Sequence, residues 1–277
     1  MTPLTLRPMG TLAHEWLVNV LPPGRKFGLP SLDAYTYSWV PAANYVVAGS
    51  PCTGAASLIL TLAENFATHG GHVIWIGITE DLARMCEQLT FKIAGLDLAD
   101  AGARVQLDVF AHIKLAYARE QIGKMWIDFC NVEDCGDTDV EREFIASVSS
   151  FKPTLIVVDE SIFDEVTLNP FEVLVRQTHA RRMVEELRGT NPTSSVLWHL
   201  PMRDGVASSI TMQRPSLDDL PDAVSIIKPE VVLFTNRDSG SNNAELIVAT
   251  NAYGTTGTVP MNFDAKRSTW REIDIAA

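Results

Sequence analysis

Two glycines, Gly49 and Gly54, stand between a short apolar run and a long helical pattern. The run Tyr45–Ala48 is typical of a buried strand, and the segment from Gly54 to His69 carries apolar residues at helical spacing. The spacing of the glycines is that of a phosphate-binding loop, G-x-x-x-x-G-K-[S/T], in which backbone N–H groups surround the phosphates. This strand, loop and helix therefore predict an α/β fold with a ligand loop at one strand end.

The loop lacks the two side chains that complete such a motif. Ala55 stands where a Lys neutralises the phosphate charge, and Ala56 stands where a hydroxyl binds Mg²⁺. Ser57 follows with a displaced hydroxyl, although a serine early in a helix also serves as simple capping or filling. Because N–H groups attract an anion without a Lys, the loop is the candidate cofactor-binding site. It consists of Gly49, Ser50, Pro51, Cys52, Thr53, Gly54, Ala55, Ala56 and Ser57.

Strand and helix patterns alternate through the next part of the chain. Predicted strands are Val73–Ile76, Val105–Phe110, Leu155–Val158 and Val196–His199, and predicted helices cover Glu80–Ala94, 114–131 and 170–188. In the last third, short strands joined by Gly, Asn and Asp turns indicate antiparallel pairing. They are Val231–Phe234, Ala244–Ala249, Thr258–Phe263 and Thr269–Arg271. The pattern predicts a three-layer α/β domain with a central, mostly parallel sheet and antiparallel C-terminal strands.

The composition of the chain limits the binding partners and the cellular location that we expect. The 277 residues are 46% hydrophobic, which is enough for a sizeable core. The net charge of −12 opposes unaided binding to DNA, where Lys and Arg supply most of the affinity. The four cysteines form no C-x-x-C pair, so we expect reduced thiols and a cytoplasmic protein. No apolar run approaches the ~20 residues of a membrane span, and we expect no membrane contact.

A short amphipathic helix is predicted at Thr11–Val20. Its apolar side chains are Leu12, Trp16, Leu17 and Val20. The Pro-Pro-Gly sequence that follows ends the helix. A lone helix of this length is marginal in water, so it has to pack on the domain's own core or on a neighbouring subunit. The chain is therefore divided into residues 1–25, a tail with a docking helix, and residues 26–277, the main domain.

Six segments follow one another in an order that is specific to one family: GLPSLDAYT, GSPCTGAAS, LTLAENFATHGGHVIWIGI, PTLIVVDE, SLDDLPDAVSIIKPEVVLFTNRD and AYGTTGTVPMNF. In this order the chain resembles the C-terminal motor domain of DnaB-type replicative helicases, the RecA-like superfamily 4, from about Gly28 to Trp270. The resemblance implies a RecA-like P-loop NTPase fold that assembles into rings or filaments. It also implies Mg²⁺-ATP between subunits and single-stranded DNA at the centre.

The resemblance also implies roles for individual positions. Asp159 matches the catalytic carboxylate that holds Mg²⁺ through a water molecule, and the alternative is a strand-end carboxylate that faces solvent or caps a loop. The catalytic Glu of the family aligns with Thr79, and Glu80 is the candidate substitute one position later. A Thr-Glu-Asp sequence is also what an ordinary helix N-terminus requires. His199 matches a γ-phosphate sensor or is a satisfied buried histidine.

Two other functional elements of the family are altered. Thr250 and Ala252 stand at the positions of the trans-acting Lys and Arg that reach a neighbour's γ-phosphate. Leu220–Val224 stands where a loop contacts DNA phosphates, with Pro221 in place of the family's Arg. The differences from the family pattern therefore affect four functions: neutralisation of phosphate charge, activation of the attacking water, the arginine finger and the contact with DNA phosphates.

These departures lead to three hypotheses. The first is a catalytically degenerate homologue, associated with DNA replication or repair, that binds ATP and Mg²⁺ weakly or not at all. It would act as a structural or regulatory subunit, as a homo-oligomer or as a hetero-oligomer with a replicative helicase. The second is a divergent but active ATP-dependent DNA helicase or ATPase, which takes its cation from a partner or from elsewhere in the chain, where the candidates are Arg84, Lys92, Arg203 and Lys266. The third is a pure interaction module, which the acidic charge favours over DNA binding.

Overall fold

The computed structural model describes residues 25–36, 38–78, 82–102, 107–132, 138–149, 155–160, 169–203, 214–238 and 240–273. Its helices are α1 (Pro30–Thr36), α2 (Ala55–Thr68), α3 (Leu82–Ala94), α4 (Leu98–Gly102), α5 (Val109–Ile122), α6 (Thr138–Ser149), α7 (Pro170–Thr190) and α8 (Val224–Ile227). Its strands are β1 (Asn44–Gly49), β2 (His72–Gly77), β3 (Trp126–Asn131), β4 (Leu155–Asp159), β5 (Ser195–Leu200), β6 (Val231–Arg237), β7 (Asn243–Asn251), β8 (Gly257–Asp264) and β9 (Thr269–Glu272). A 3₁₀ turn, Leu217–Asp219, precedes α8.

All of these strands belong to one sheet, in the order β3-β2-β4-β5-β1-β6-β7-β8-β9. The strands from β3 to β6 in this order pair in parallel. The strands β6, β7, β8 and β9 pair with one another in antiparallel fashion. The predicted mostly parallel sheet and its antiparallel C-terminal strands are therefore confirmed, and β1 lies at the centre.

Helices cover both faces of the parallel part of the sheet. Every residue of β2, β4 and β5 is buried, as expected for parallel strands with apolar side chains on both sides. Leu58 of α2 and Leu89 of α3 pack into the core of one face. Ile145 of α6 and Met183 of α7 pack into the core of the other face. The arrangement is the three-layer α/β domain that the sequence predicts.

The predicted strand Val105–Phe110 is wrong at its C-terminal end, because α5 already begins at Val109. Asp108 is the N-cap residue, and its carboxylate accepts a hydrogen bond from the backbone N–H of Ala111 at 2.7 Å. Residues 103–106 lie outside the described part of the chain. The local alternation of apolar and polar residues suggested a strand, whereas the N-cap bond begins a helix.

The predicted helix 114–131 is also too long. It ends at Ile122, and the segment Trp126–Asn131 forms the edge strand β3 beside β2. Gly123 follows the helix, and the N–H of Met125 bonds the carbonyl of Ile122 at 2.9 Å in the turn before the strand. The pairing with β2 decides the conformation of this segment, and a helical period read along the sequence does not contain that information.

Some predictions fall on residues that the structure does not describe. The predicted helix Thr11–Val20 lies there, so the division at residue 25 stays a prediction. Within the described part, Cys52 and Cys86 are exposed and Cys130 is buried. In that same part, none of the helices has both the length and the apolar character needed to cross a membrane.

Leu58→Ala is expected to lower the free energy of unfolding by about 2–5 kcal/mol, because this fully buried side chain would leave a cavity between α2 and the sheet. Leu174→Ala on α7 is the matched control, since Leu174 is 56% exposed. Its effect is expected to stay below about 0.5 kcal/mol. Urea denaturation measures both, and equal losses in the two variants would contradict the placement of α2 in the core.

Candidate functional site

The C-terminal ends of four neighbouring strands meet at one edge of the sheet. Asp159 pairs with His199 across β4 and β5, and Gly49 pairs with Thr235 across β1 and β6. Because β5 and β1 are also neighbours, these four residues lie in a row from β4 to β6. Ligands of open α/β sheets bind outside the carboxyl ends of the strands. This row and the loop after β1 are therefore the candidate site.

A buried pair of threonines fixes the loop to β6. Thr53 is 1% exposed, and its hydroxyl lies 2.8 Å from the hydroxyl of Thr235. The Thr53 hydroxyl also donates to the carbonyl of Ser50 at 2.7 Å, and the Thr53 N–H donates to the same carbonyl at 3.2 Å. The loop is thus closed into a tight turn by bonds between its own residues and the neighbouring strand.

Both glycines of the loop stand where a side chain has no room. A Cβ atom at Gly49 would lie 2.1 Å from Thr235 Oγ1 and 2.6 Å from Thr53 Oγ1. Gly54 precedes α2 with a φ of +94°, which favours glycine, and a Cβ there would lie 2.9 Å from ring atoms of Phe263 and Trp270. Packing inside the chain therefore requires the glycine spacing, whether or not phosphate approaches the loop.

The C-terminal strands pack directly on the beginning of α2. The indole N–H of Trp270 donates to the carbonyl of Gly54 at 3.0 Å. The rings of Phe263 and Trp270 contact each other at 4.8 Å between centroids, and the guanidinium carbon of Arg237 lies 5.1 Å from the centroid of Phe263. Aromatic side chains from β8 and β9 thus form one wall of the candidate site. No local sequence pattern indicates this wall, because β8 and β9 are far from the loop along the chain.

The first turn of α2 offers neither a cation nor a free hydroxyl. Ala55 is 7% exposed, and Ala56 is exposed. The hydroxyl of Ser57 forms a hydrogen bond with the hydroxyl of Ser268, which is itself buried. The side chain that could replace the missing Mg²⁺ ligand is therefore engaged within the chain.

Asp159 and His199 form a buried hydrogen-bonded pair. Asp159 Oδ1 lies 2.8 Å from His199 Nδ1, and the two residues are 2% and 6% exposed. Asp159 does not face solvent, and His199 is a buried histidine with a hydrogen-bond partner. The pair joins the C-terminal ends of β4 and β5.

Two side chains that could take part in binding a Mg²⁺-nucleotide complex are engaged within the chain. Mg²⁺ at phosphate sites is held by one or two carboxylates together with phosphate oxygens and water. Here Asp159 is bonded to His199 and Ser57 is bonded to Ser268. In the described residues, no group of three His, Cys, Asp or Glu side chains lies close enough to hold a metal ion. The backbone N–H groups at the start of α2 are the part of the motif that suits phosphate.

Glu160 is a buried carboxylate that was not among the predicted site residues. It follows Asp159 and is 1% exposed, and its side chain accepts hydrogen bonds from Gln177 at 2.9 Å and Arg181 at 3.4 Å, both on α7. Burial raises the pKa of the Glu160 carboxyl above its ordinary value, and the neighbouring charge of Asp159 adds to this, while Arg181 and Gln177 partly offset it. The Asp-Glu sequence at the end of an apolar strand was the available signal.

Two of the four alternative cations form ion pairs within the chain. Lys92 is 6% exposed and forms an ion pair with Glu64, which lies about 15 Å along α2 from Gly54. Burial lowers the pKa of the Lys92 ammonium, and Glu64 partly offsets this. Arg203 pairs with Asp222 at 2.5 Å. Lys266 and Arg84 are exposed.

The structure also describes the positions aligned with the trans-acting Lys and Arg and with the DNA-contacting loop. Thr250 lies on β7, and Ala252 is exposed just after that strand. In the loop Leu220–Val224, Leu220 is 3% exposed and belongs to the core. Thr79 and Glu80 lie outside the described residues, so the role of Glu80 stays a prediction.

No protein-family model and no curated protein matches this sequence. Among solved structures, the chain is similar to one described as an ATPase domain, with a TM-score of 0.74 and 16% identity over 96% of this chain and 97% of that one. It is also similar to a DnaB-like replicative helicase described with its interactions with primase, with a TM-score of 0.73 and 16% identity over 96% of this chain and 66% of that one. The chain therefore has the RecA-like fold of DnaB-like helicase ATPase domains, as the sequence motifs predict.

Gly49→Ala is expected to lower the free energy of unfolding by about 1–3 kcal/mol, because the new methyl group would overlap the hydroxyls of Thr235 and Thr53. Gly189→Ala in α7 is the control, since nothing lies within 4 Å of its Cβ position. That variant should be neutral or more stable by up to about 1 kcal/mol. Thermal or urea unfolding distinguishes them, and a neutral Gly49→Ala would rule out the tight packing of the loop.

Glu160→Gln is expected to gain stability relative to the wild type as the pH rises above 4.5, the ordinary pKa of the group. A carboxyl whose folded pKa is raised stabilises the fold below its unfolded pKa, and this contribution is lost as the pH rises through the folded pKa. Glutamine does not titrate, so it keeps its contribution. Urea denaturation of both proteins from pH 4 to pH 8 measures the difference, which should be constant if burial does not affect Glu160.

Proposed function

We propose that this protein is a RecA-fold subunit of helicase type that does not hydrolyse ATP and acts as a structural or regulatory component in DNA replication or repair. The observation that carries the proposal is the first turn of α2. Ala55 stands where the motif has its Lys, and the hydroxyl of Ser57 is hydrogen-bonded to the hydroxyl of Ser268. Such a loop keeps the backbone N–H groups that surround phosphate, but it lacks the positively charged side chain that neutralises it.

Transition-state charge in phosphoryl transfer is normally stabilised from several sides. An arginine finger alone contributes about 10³–10⁵ in kcat. The positions aligned with the finger are Thr250 and Ala252, and neither carries a charge. A triphosphate bound without these cations would remain poorly neutralised, so we expect weak ATP and Mg²⁺ binding or none.

Surface chemistry supports a protein partner over DNA. The chain has a net charge of −12, which repels a phosphate backbone. Around the loop Leu220–Val224, Leu217 and Ile226 are 46% and 66% exposed, and Asp218 stands beside Leu217. We therefore expect this protein to assemble with its own copies or with a replicative helicase, and to work in the cytoplasm.

A second candidate function is a divergent but active ATPase, and the Asp159–His199 pair favours it. The pair retains a buried carboxylate at the end of β4, two strands from the loop after β1. With a cation supplied by a partner, Asp159 could still help to bind Mg²⁺ through water. Glu80 would be the candidate for water activation.

Calorimetric titration with Mg²⁺-ATP tests the first proposal, together with a phosphate-release assay. The expected result is no saturable binding up to about millimolar nucleotide, where the binding free energy is only about −4 kcal/mol, and no turnover above background. The double variant Ala55→Lys, Ala56→Thr is the matched control, because it restores the charge and the hydroxyl of the motif and should bind nucleotide more tightly. ATP hydrolysis by the wild-type protein above background would contradict the proposal.

Asp159→Asn tests the second candidate. If the protein hydrolyses ATP through Asp159, this isosteric change should reduce turnover by about 10²-fold or more, because it removes the negative charge that Asp159 would supply to a bound Mg²⁺. The same variant should leave any partner binding of a non-hydrolysing subunit unchanged. The assay is run with and without added partner helicase, because the missing cation would come from that side.

A further inference from the structure

A cavity of about 340 Å³ opens to solvent beside the short helix α8. This volume lies at the lower end of the ~300–1,000 Å³ that ligand pockets occupy. Its walls come from the 3₁₀ turn, from α8, from the segment between them and from the residues that follow β5. They include Arg203, Leu217, Leu220, Pro221, Asp222 and Val224. We call this cavity the α8 pocket.

Hydrogen bonds within the chain fix the walls of the α8 pocket. The backbone N–H of Arg203 donates to the carbonyl of Asp219 at 2.9 Å, and the Arg203 guanidinium pairs with Asp222 at 2.5 Å. The Asp219 carboxylate accepts hydrogen bonds from the N–H of Ser216 at 2.7 Å and from its hydroxyl at 2.9 Å. Because these walls are already ordered, a partner that binds here loses little affinity to the ordering of the pocket.

The apolar side chains of this segment are divided between the core and the solvent. Leu220 and Ile227 are buried in the core and anchor the end of the 3₁₀ turn and α8. Leu217, which lines the pocket, is 46% exposed, and Ile226 is 66% exposed. Interfaces concentrate their binding energy where one apolar side chain fills a pocket on the partner. The α8 pocket therefore suits an apolar anchor that covers Leu217.

The charge around the α8 pocket is negative. Residues 215–227 contain three aspartates, Asp218, Asp219 and Asp222, and neither Lys nor Arg. The side chains of Asp218 and Asp222 are exposed. Arg203 offsets one of these charges through its pair with Asp222. Since complementary charge steers a partner and like charge repels it, this surface favours a basic protein segment and disfavours DNA.

Helix α5 also exposes large apolar side chains, but its charge has the opposite sign. Phe110 and Ile113 are strongly exposed on this helix. The helix carries Lys114 and Arg119 against the single acidic residue Glu120. A basic partner is therefore favoured at the α8 pocket over the exposed apolar residues of α5.

We propose that the α8 pocket docks a basic amphipathic segment of a protein partner. One apolar side chain of the partner enters the pocket and covers Leu217, and Lys or Arg side chains next to it lie against Asp218 and Asp222. The inference rests on the proposed function, because it names the class of partner that a non-hydrolysing subunit binds. Docking itself requires no nucleotide, so the two are tested separately.

Fluorescence anisotropy of the full chain with a labelled peptide of the repeat Lys-Lys-Leu-Lys measures the docking. Without nucleotide, we expect saturable binding with a Kd below about 1 mM. Leu217→Ser should weaken the affinity by about tenfold, because it removes the apolar contact. Asp218→Asn should weaken it by about 2- to 5-fold, and added salt should reduce this difference.

Two matched variants outside the pocket serve as controls. Leu174→Ser makes the same apolar change at a leucine on α7 that is 56% exposed. Glu87→Gln removes one negative charge at an exposed position on α3. Both should bind the peptide as the wild type does. A loss of affinity in Leu174→Ser that equals or exceeds the loss in Leu217→Ser would place the peptide elsewhere and overturn the proposal.

Companion probes separate the apolar anchor from charge alone. A peptide with Ser in place of Leu should bind the wild type several-fold more weakly, and one with Glu in place of Lys should not bind. Equal affinity of the Leu and Ser peptides, or no binding at millimolar peptide, would overturn the docking. Tighter binding of a labelled single-stranded oligonucleotide that Leu217→Ser abolishes would also overturn it. ATP hydrolysis by the same preparation would contradict the proposed function and leave these titrations unchanged.

Discussion

The rest of the structure depends on the close packing of Gly49 against Thr235 at the end of the central strand. β1 is paired on both sides, by β5 and β6, and its last residue has no space for a side chain. The hydroxyls of Thr53 and Thr235 fill that space and hold the loop in a tight turn. The start of α2 and the wall formed by the C-terminal strands take their positions from this turn.

The same packing also engages two polar groups at the start of α2. Trp270 donates to the carbonyl of Gly54, and Ser268 bonds the hydroxyl of Ser57. Gly54 also has to be a glycine because of the rings beside it. Packing alone can therefore require this glycine pattern, and the pattern by itself does not establish nucleotide binding.

Much of the fold could be predicted from local patterns. The buried strands β1, β2, β4 and β5 are continuous apolar runs, and the turns rich in Gly, Asn and Asp indicated the antiparallel strands. The third strand was misplaced, because the large apolar residues of α5 face solvent and β3 is a half-buried edge strand. Asp159 was identified from its place at the end of an apolar run. Glu160 was not identified, because its partners Gln177 and Arg181 lie on α7, which packs on the face of the sheet opposite α2.

The sequence by itself determined the elements around the loop, the uncharged side chains at its centre and the acidic balance of the chain. These properties follow from local composition and periodicity. Only the tertiary structure decided which groups meet at the site. His199 lies 40 residues from Asp159, and Ser268 lies 211 residues from Ser57 along the chain. Their contacts depend on the order of strands in the sheet, and the preferences of neighbouring residues contain no information about that order.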